Sequence, residues 1–337
     1  MAAFYVVAYH SLPFLKSHYR LYPAVEQFLS NGYLAVGFFY LLSGFILAYT
    51  YEGKIGNLRE YMRYLVARFA RIYPVYLLAL FLALPFQLKA SFGTKLAVLV
   101  MVQAWNPANP GLAGAWNYPA WSLSVEAFFY LGFPLFMAWM SKQSLRALRL
   151  IVIVFLFLSI ALHTPTMVLG VWNGAVNGLL APLPILRLPE FLVGVALGLL
   201  FLRSGQRSRH SYLFYLAAAS AVVVLSLPIG SWVSIVMIPT AFMLYELAFS
   251  DGFPARLFSS GPLVLLGGAS YAIYLLQYPV RAWTKLLFSY AGPSISFLGS
   301  ALTPVLLIAF SIAVFRYWEE PARKLLHPPS VSANAKK

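Results

Sequence analysis

The chain is a succession of apolar runs separated by short polar stretches that hold most of its Lys and Arg. A helix that crosses a bilayer needs roughly 20 mainly apolar residues. The pattern predicts ten such runs, over 1–15, 32–51, 73–88, 120–140, 149–163, 189–202, 213–228, 233–249, 269–290 and 296–316. A further apolar stretch, 94–106 (TKLAVLVMVQAWN), has 13 residues and is too short to cross, so it is expected to be re-entrant or interfacial. The expected fold is all-α: a polytopic membrane protein with about ten transmembrane helices and a short helix near 94–106. It would form one integral-membrane domain over 1–326, followed by a disordered cytoplasmic tail, 327–337. No internal repeat of the kind that builds transporters is visible.

Composition narrows the class. At 61% hydrophobic and 10% charged residues, against about 25% charged in soluble domains, the chain is neither an ordinary soluble enzyme nor disordered. It has no cysteine, which removes disulfides, thiolate nucleophiles and Cys-ligated metals. The formal charge of +15 raises the question of nucleic acid, but placement answers it. With the N-terminus inside, seventeen Lys and Arg fall in loops on one side and five on the other. That asymmetry fits ten spans with both termini cytoplasmic, and it accounts for the basic balance without nucleic acid. Counting 94–106 as a span would put the Lys142–Arg149 loop outside, against the same rule.

The first run is short. Only about twelve residues precede Pro13, rising roughly 18 Å as a helix, so it is expected to sit shallow or fray. It lacks the basic flank and small-residue cleavage site of a signal peptide.

Ionisable groups inside apolar runs are costly and are functional candidates by default. His10 lies near the outer end of the first run, beside Tyr9. Glu126, in WSLSVEAFFY, is two turns into another run, with Ser122 four positions before it on the same helix face. Glu190, in RLPEFLVG, begins a run from the same side, with Arg187 one turn earlier. A carboxylate beside an imidazole can orient its tautomer and stabilise the imidazolium, making His10 a general base for a hydroxyl; either Glu126 or Glu190 could serve. On the cytoplasmic side, Arg68 and Arg71 in RFARIYP stand three apart just before a span, a spacing that suits a phosphate-rich ligand. Arg59 and Arg63 read as positive-inside anchors.

These residues resemble a known family. YHS, FFYLLSGFILAY, RFARIYP, WSLSVEAFFYLGFP, RLPEFLVGVALG, GGASYAIYLLQYPV and EEPARK follow, in order and over nearly the whole chain, the pattern of the acyltransferase-3 membrane proteins. The resemblance implies an O-acyltransferase of the bacterial inner membrane. It would move an acyl group, most often acetyl, from acyl-CoA onto a hydroxyl of a sugar, glycan or glycolipid. It further implies His10 as catalytic base, with Glu126 and Ser122 catalytic, and Arg68 and Arg71 towards the CoA donor. Glu190, Arg187, Trp121 and Gln277 are expected to contact substrate. The expected partners are the bilayer, the acyl-CoA donor and a carbohydrate acceptor, with no metal and no permanently bound cofactor. Two departures stand out. An Arg usual in the family would fall two positions upstream of Met1, so a longer reading frame is expected to be the active one. Gln277 stands where members often have His, and Gln hydrogen-bonds but does not titrate. An ion-coupled transporter and an inactive membrane scaffold are the competing readings; broken helices with paired charges fit the first and the missing Arg the second.

Overall fold

The computed structural model describes residues 2–87, 90–163, 182–205, 212–290 and 293–326, and no strand occurs among them. The helices are α1 (Ala2–His18), α2 (Pro23–Ser30), α3 (Ala35–Tyr51), α4 (Leu58–Ala83), α5 (Phe92–Leu99), α6 (Trp121–Met140) and α7 (Leu145–His163). They continue with α8 (Pro184–Arg203), α9 (Tyr212–Ser226), α10 (Met237–Phe249), α11 (Phe253–Phe258), α12 (Gly261–Ser289) and α13 (Pro293–Val314). A π turn over Phe315–Glu319 leads into α14 (Glu320–Leu326). Among the described residues eight helical stretches are long and apolar enough to cross a membrane, and α1 and α9, with 17 and 15 residues, are shorter. The protein is an all-α polytopic membrane protein. Its surface carries the apolar side chains that a bilayer accommodates: on α7, Ile153 and Phe157 are 63% and 72% exposed. The tail from His327, together with Lys89, Arg207 and Arg209 of the charge pattern, lies outside the described residues.

Three expected boundaries change. Pro13 does not end the first helix: α1 runs through it to His18, about 26 Å by the helical rise. A proline forfeits one backbone bond and bends a helix without having to end it. Likewise α4 runs unbroken through Pro74, so Arg68 and Arg71 lie inside a 26-residue helix rather than before a span. The 94–106 stretch is helical only as far as Leu99, and the eight residues of α5 rise about 12 Å, too little to cross.

The chain forms two compact units, each built from separate stretches. The first comprises 1–53, 101–113 and 121–264; the second comprises 54–100, 114–120 and 265–337.

In the first unit α3 and α8 lie side by side with their backbones almost touching. A Cβ on Gly44 would stand 2.2 Å from the Phe191 carbonyl oxygen, one on Gly194 2.0 Å from that of Leu41, and one on Gly198 2.8 Å from that of Phe45. Apolar helices gain little hydrophobic drive from one another in lipid, so small residues that allow this approach select the contact. Gly37 meets Glu190, Leu41 meets Gly194 and Phe45 meets Gly198, so the two helices are parallel. Helix α6 points the same way: Tyr40 donates to the Ser122 carbonyl at 3.4 Å, and Ser43 donates to Glu126 at 2.8 Å. Helix α10 also follows α8, from Met237 beside Gly37 to Phe249, whose ring is 4.8 Å from that of Phe201.

In the second unit α4 and α12 are parallel and joined by side chains bonded to helix carbonyls. Tyr271 donates to Ile72 O at 2.7 Å and Trp283 to Leu82 O at 2.8 Å. Trp318, in the π turn, donates to Pro74 O at 2.9 Å. Helix α13 returns antiparallel, with Thr284 and Thr303 sharing a 2.9 Å hydroxyl bond.

Gly194→Ala is expected to lower stability by about 1–3 kcal/mol, because α3 and α8 must separate to admit the methyl group. Gly267→Ala, a helical position where an added Cβ meets nothing within 4 Å, is expected to gain about 0.5–1 kcal/mol. Thermal unfolding of both variants in one detergent checks the pair; equal melting temperatures would mean that the α3–α8 contact is not selected by its glycines.

Candidate functional site

At the end of the first unit where α3, α6 and α8 begin, polar side chains gather inside an otherwise apolar bundle. Helix α1 brings His10 there. Its neighbour Tyr9 packs on the start of α3: a Cβ on Gly32 would lie 2.5 Å from Tyr9 Cβ, and the Tyr9 ring is 6.1 Å from that of Tyr33. The His10 ring meets Tyr9 edge-on at 4.9 Å, and both line a groove along α1 with Leu12, Pro13, Lys16 and Ser17.

Arg187 and Glu190, one turn apart on α8, form an ion pair at 2.9 Å with side chains 5% and 2% exposed. The guanidinium stands over the Trp121 ring, 5.8 Å from its centroid, a stacking that Arg favours when desolvated. Gly37 makes room for the carboxylate, since a Cβ there would stand 3.1 Å from both Glu190 Oε1 and the Met237 sulfur. Two groups of contacts thus lie at this end of the unit: His10, Tyr9 and Tyr33 on one side, and Arg187, Glu190 and Trp121 on the other. Of the expected substrate residues, the structure brings Glu190, Arg187 and Trp121 together.

Glu126 sits deeper. Ser43, its partner on α3, is six residues beyond Gly37, about 9 Å along the helix. Glu126 Oε1 accepts from Ser43 Oγ at 2.8 Å and from Tyr130 OH at 2.5 Å. Ser122 shares the Glu126 face as expected, and is buried. The described bonds of the two carboxylates therefore divide, Glu126 to hydroxyls and Glu190 to a guanidinium. At the opposite end of the same helices Arg203 donates to the carbonyls of Ser141 and Gln143 and, at 3.1 Å, to Glu52. It ties the ends of α3, α6 and α8 together.

The remaining candidates belong to the second unit. Arg68 and Arg71 are three apart on α4, and Arg71 pairs with Glu319 of the π turn, a carboxylate buried completely. Single-turn π insertions recur at functional sites, where they re-aim a side chain. Gln277, on α12, is 2% exposed; its Nε2 donates to Tyr274 O at 2.8 Å. It is grouped with the other unit's Glu190, Arg187 and Trp121 by the sequence pattern, and not by the compact unit in which it lies. Beside it Asn117, fully buried, donates from Nδ2 to Leu275 O at 3.0 Å. The carbonyl oxygens of Asn117 and Gln277 have no hydrogen-bond partner among the described residues, a cost of about 1–3 kcal/mol for each.

Sequence reasoning had no role for Ser43, Tyr130, Tyr33, Glu319 or Asn117. Ser43 is a lone hydroxyl in FFYLLSGFILAY, and Glu319 lies in EEPARK. Both stretches carried the resemblance, but their partners are 83 and 248 positions away in the chain, beyond the reach of any local pattern.

Comparison with known proteins agrees with this architecture. The acyltransferase-3 domain family matches residues 1–315, and the chain belongs to that family. It is 31% identical over 282 residues to the acyltransferase MdmB of Streptomyces mycarofaciens, covering 76% of this chain and 70% of that protein. A 61-residue stretch is 48% identical to protein 2 in the picA locus of Rhizobium radiobacter, covering 16% of this chain and 31% of that one. No solved structure gives a significant match.

Arg187→Ala is expected to destabilise the protein by about 3–5 kcal/mol by leaving the Glu190 carboxylate buried without its cation. Arg187→Met combined with Glu190→Gln is expected to recover most of that loss. Unfolding of the single and double variants checks it, and additive losses would refute the coupling.

Proposed function

We propose that this acyltransferase moves an acyl group, acetyl in the simplest case, from acyl-CoA to a hydroxyl of a carbohydrate or glycolipid. The observation that carries the reading is that His10, Tyr9 and Tyr33 stand at the same end of the unit as the buried Arg187–Glu190 pair. His10 takes the proton of the acceptor hydroxyl as its oxygen attacks the thioester carbonyl. The C–O bond forms, the C–S bond breaks, and the imidazolium returns the proton to the leaving thiolate. Glu190 is the carboxylate that favours the imidazolium, held in place by Arg187. Tyr33 and Trp121 offer aromatic faces to an acceptor ring. Glu126, fixed by Ser43 and Tyr130, lies further along the same helices with Ser122 on its face, and lines the route of the transferred group.

Arg68 and Arg71 bind the phosphates of the donor. Arg71 is paired with Glu319, which orients one edge of its guanidinium. A protein of this kind would lie in the bacterial cytoplasmic membrane with both termini cytoplasmic, so that the arginine pair meets the CoA pool.

Transfer from labelled acetyl-CoA, or slow hydrolysis of it, by the purified protein tests the reading; retention of the label in acetyl-CoA with every hydroxyl acceptor offered, and no hydrolysis, would refute it. His10→Ala is expected to lower turnover by about 10²- to 10⁴-fold with donor binding retained. Arg68→Ala and Arg71→Ala are expected to weaken donor binding by about 1.5–3 kcal/mol each, with Arg59→Ala close to the parent. Equal effects from all three would remove the special role of the pair. Ser144→Cys introduces a cysteine into a chain that has none, at an exposed position between α6 and α7. It is expected to resist an impermeant thiol reagent added to intact cells and to react after lysis. Labelling in intact cells would reverse the topology.

A further inference from the structure

We infer that Asn117 and Gln277 form a binding site for the amide-bearing arm of the acyl donor, an inference that rests on the acyl-CoA reading above. Each side-chain amide has its nitrogen committed to a carbonyl of α12, Gln277 to Tyr274 O and Asn117 to Leu275 O, on consecutive residues. Because a carbonyl accepts and cannot donate, these contacts settle which end of each amide is nitrogen and which is oxygen. Both oxygens are buried and lack a donor among the described residues. Buried polar atoms are normally satisfied, so two open acceptors held against consecutive carbonyls of one helix call for a ligand that brings N–H or O–H groups.

The site is built in advance. Asn117 follows Trp116, whose backbone takes the left-handed conformation at φ 66°, a strained state for a bulky residue. The Trp116 indole donates to Leu80 O at 2.8 Å, which holds that conformation and aims the next residue at α12. The same helices relate the pair to the proposed phosphate site. Tyr271 of α12 is bonded to Ile72 of α4, next to Arg71, and Gln277 is six residues further along α12, about 9 Å. A ligand whose phosphates sit at Arg68 and Arg71 and whose chain continues along α4 and α12 would pass its next polar groups by Asn117 and Gln277. The pantetheine arm of CoA has this chemistry: two secondary amides beyond the diphosphate, each with an N–H to donate. An acceptor hydroxyl would bring the same donor, so the test must tell the two sources apart.

The test is binding to the full chain in detergent, without any acceptor present, using two probes: coenzyme A, and adenosine 3′,5′-bisphosphate, which keeps phosphates but has no arm. Gln277→Met and Asn117→Ala are each expected to weaken coenzyme A binding about 3- to 10-fold and to leave bisphosphate binding unchanged. Arg71→Ala is expected to weaken both. Unchanged coenzyme A binding by Gln277→Met, the result expected if acceptor hydroxyls were the donors, overturns the inference while leaving the acyl-CoA reading intact. Parallel weakening of both probes overturns it too, by showing a general loosening of the fold. A parent protein that binds neither probe removes the acyl-CoA reading and this inference together. If Asn117→Ala fails to fold, Gln277→Met decides, because among the described residues the Gln277 amide nitrogen is bonded within its own helix turn.

Discussion

The contact between the backbones of α3 and α8 is the constraint on which the first unit depends. Gly44, Gly194 and Gly198 let carbonyl oxygens of each helix sit where a side chain would otherwise project. In lipid, where apolar surface has little reason to leave its surroundings, such close approach is what specifies a helix pair. It also sets register. A shift of one residue turns a helix by about 100° and would face bulky side chains into the contact. With the register held, Gly37 falls opposite Glu190, and Arg187, one turn earlier, falls over Trp121. The polar patch is a consequence of the apolar packing beneath it.

The two buried ion pairs are built differently. Arg187 and Glu190 share one helix, so their i,i+3 spacing presets the pair and tertiary structure supplies only the dry surroundings. Arg71 and Glu319 come from stretches far apart in the chain, and the π turn that holds Glu319 also carries Trp318 to the Pro74 carbonyl. A buried pair is weak evidence of net stability, since its desolvation offsets much of the attraction. Its value in both places is orientation: one guanidinium over the Trp121 ring, the other one turn from Arg68.

Side chains bonded to helix carbonyls give the second unit a rigidity that glycines give the first. Tyr271, Trp283, Trp318 and Trp116 all donate to carbonyls of α4. Continuity of α1 and α4 through Pro13 and Pro74 follows the same logic: neighbouring helices hold what the local sequence would allow to break.

Hydropathy and charge by themselves determined that the chain is an all-α membrane protein, roughly where its helices lie, and that the 94–106 stretch does not cross. These properties depend on solvent preference and chain length, which are additive along a sequence. The i,i+3 pair of Arg187 and Glu190 was legible for the same reason, and order of motifs was enough to show family resemblance. What only the tertiary structure decided was partnership. That Glu126 accepts from Ser43, that Arg71 meets Glu319, and that Asn117 leaves its oxygen without a donor among the described residues beside Gln277 all depend on contacts between stretches distant in the chain. A hydropathy pattern records how much of a helix must be buried, but the direction each polar side chain takes is set by the neighbours that packing places around it.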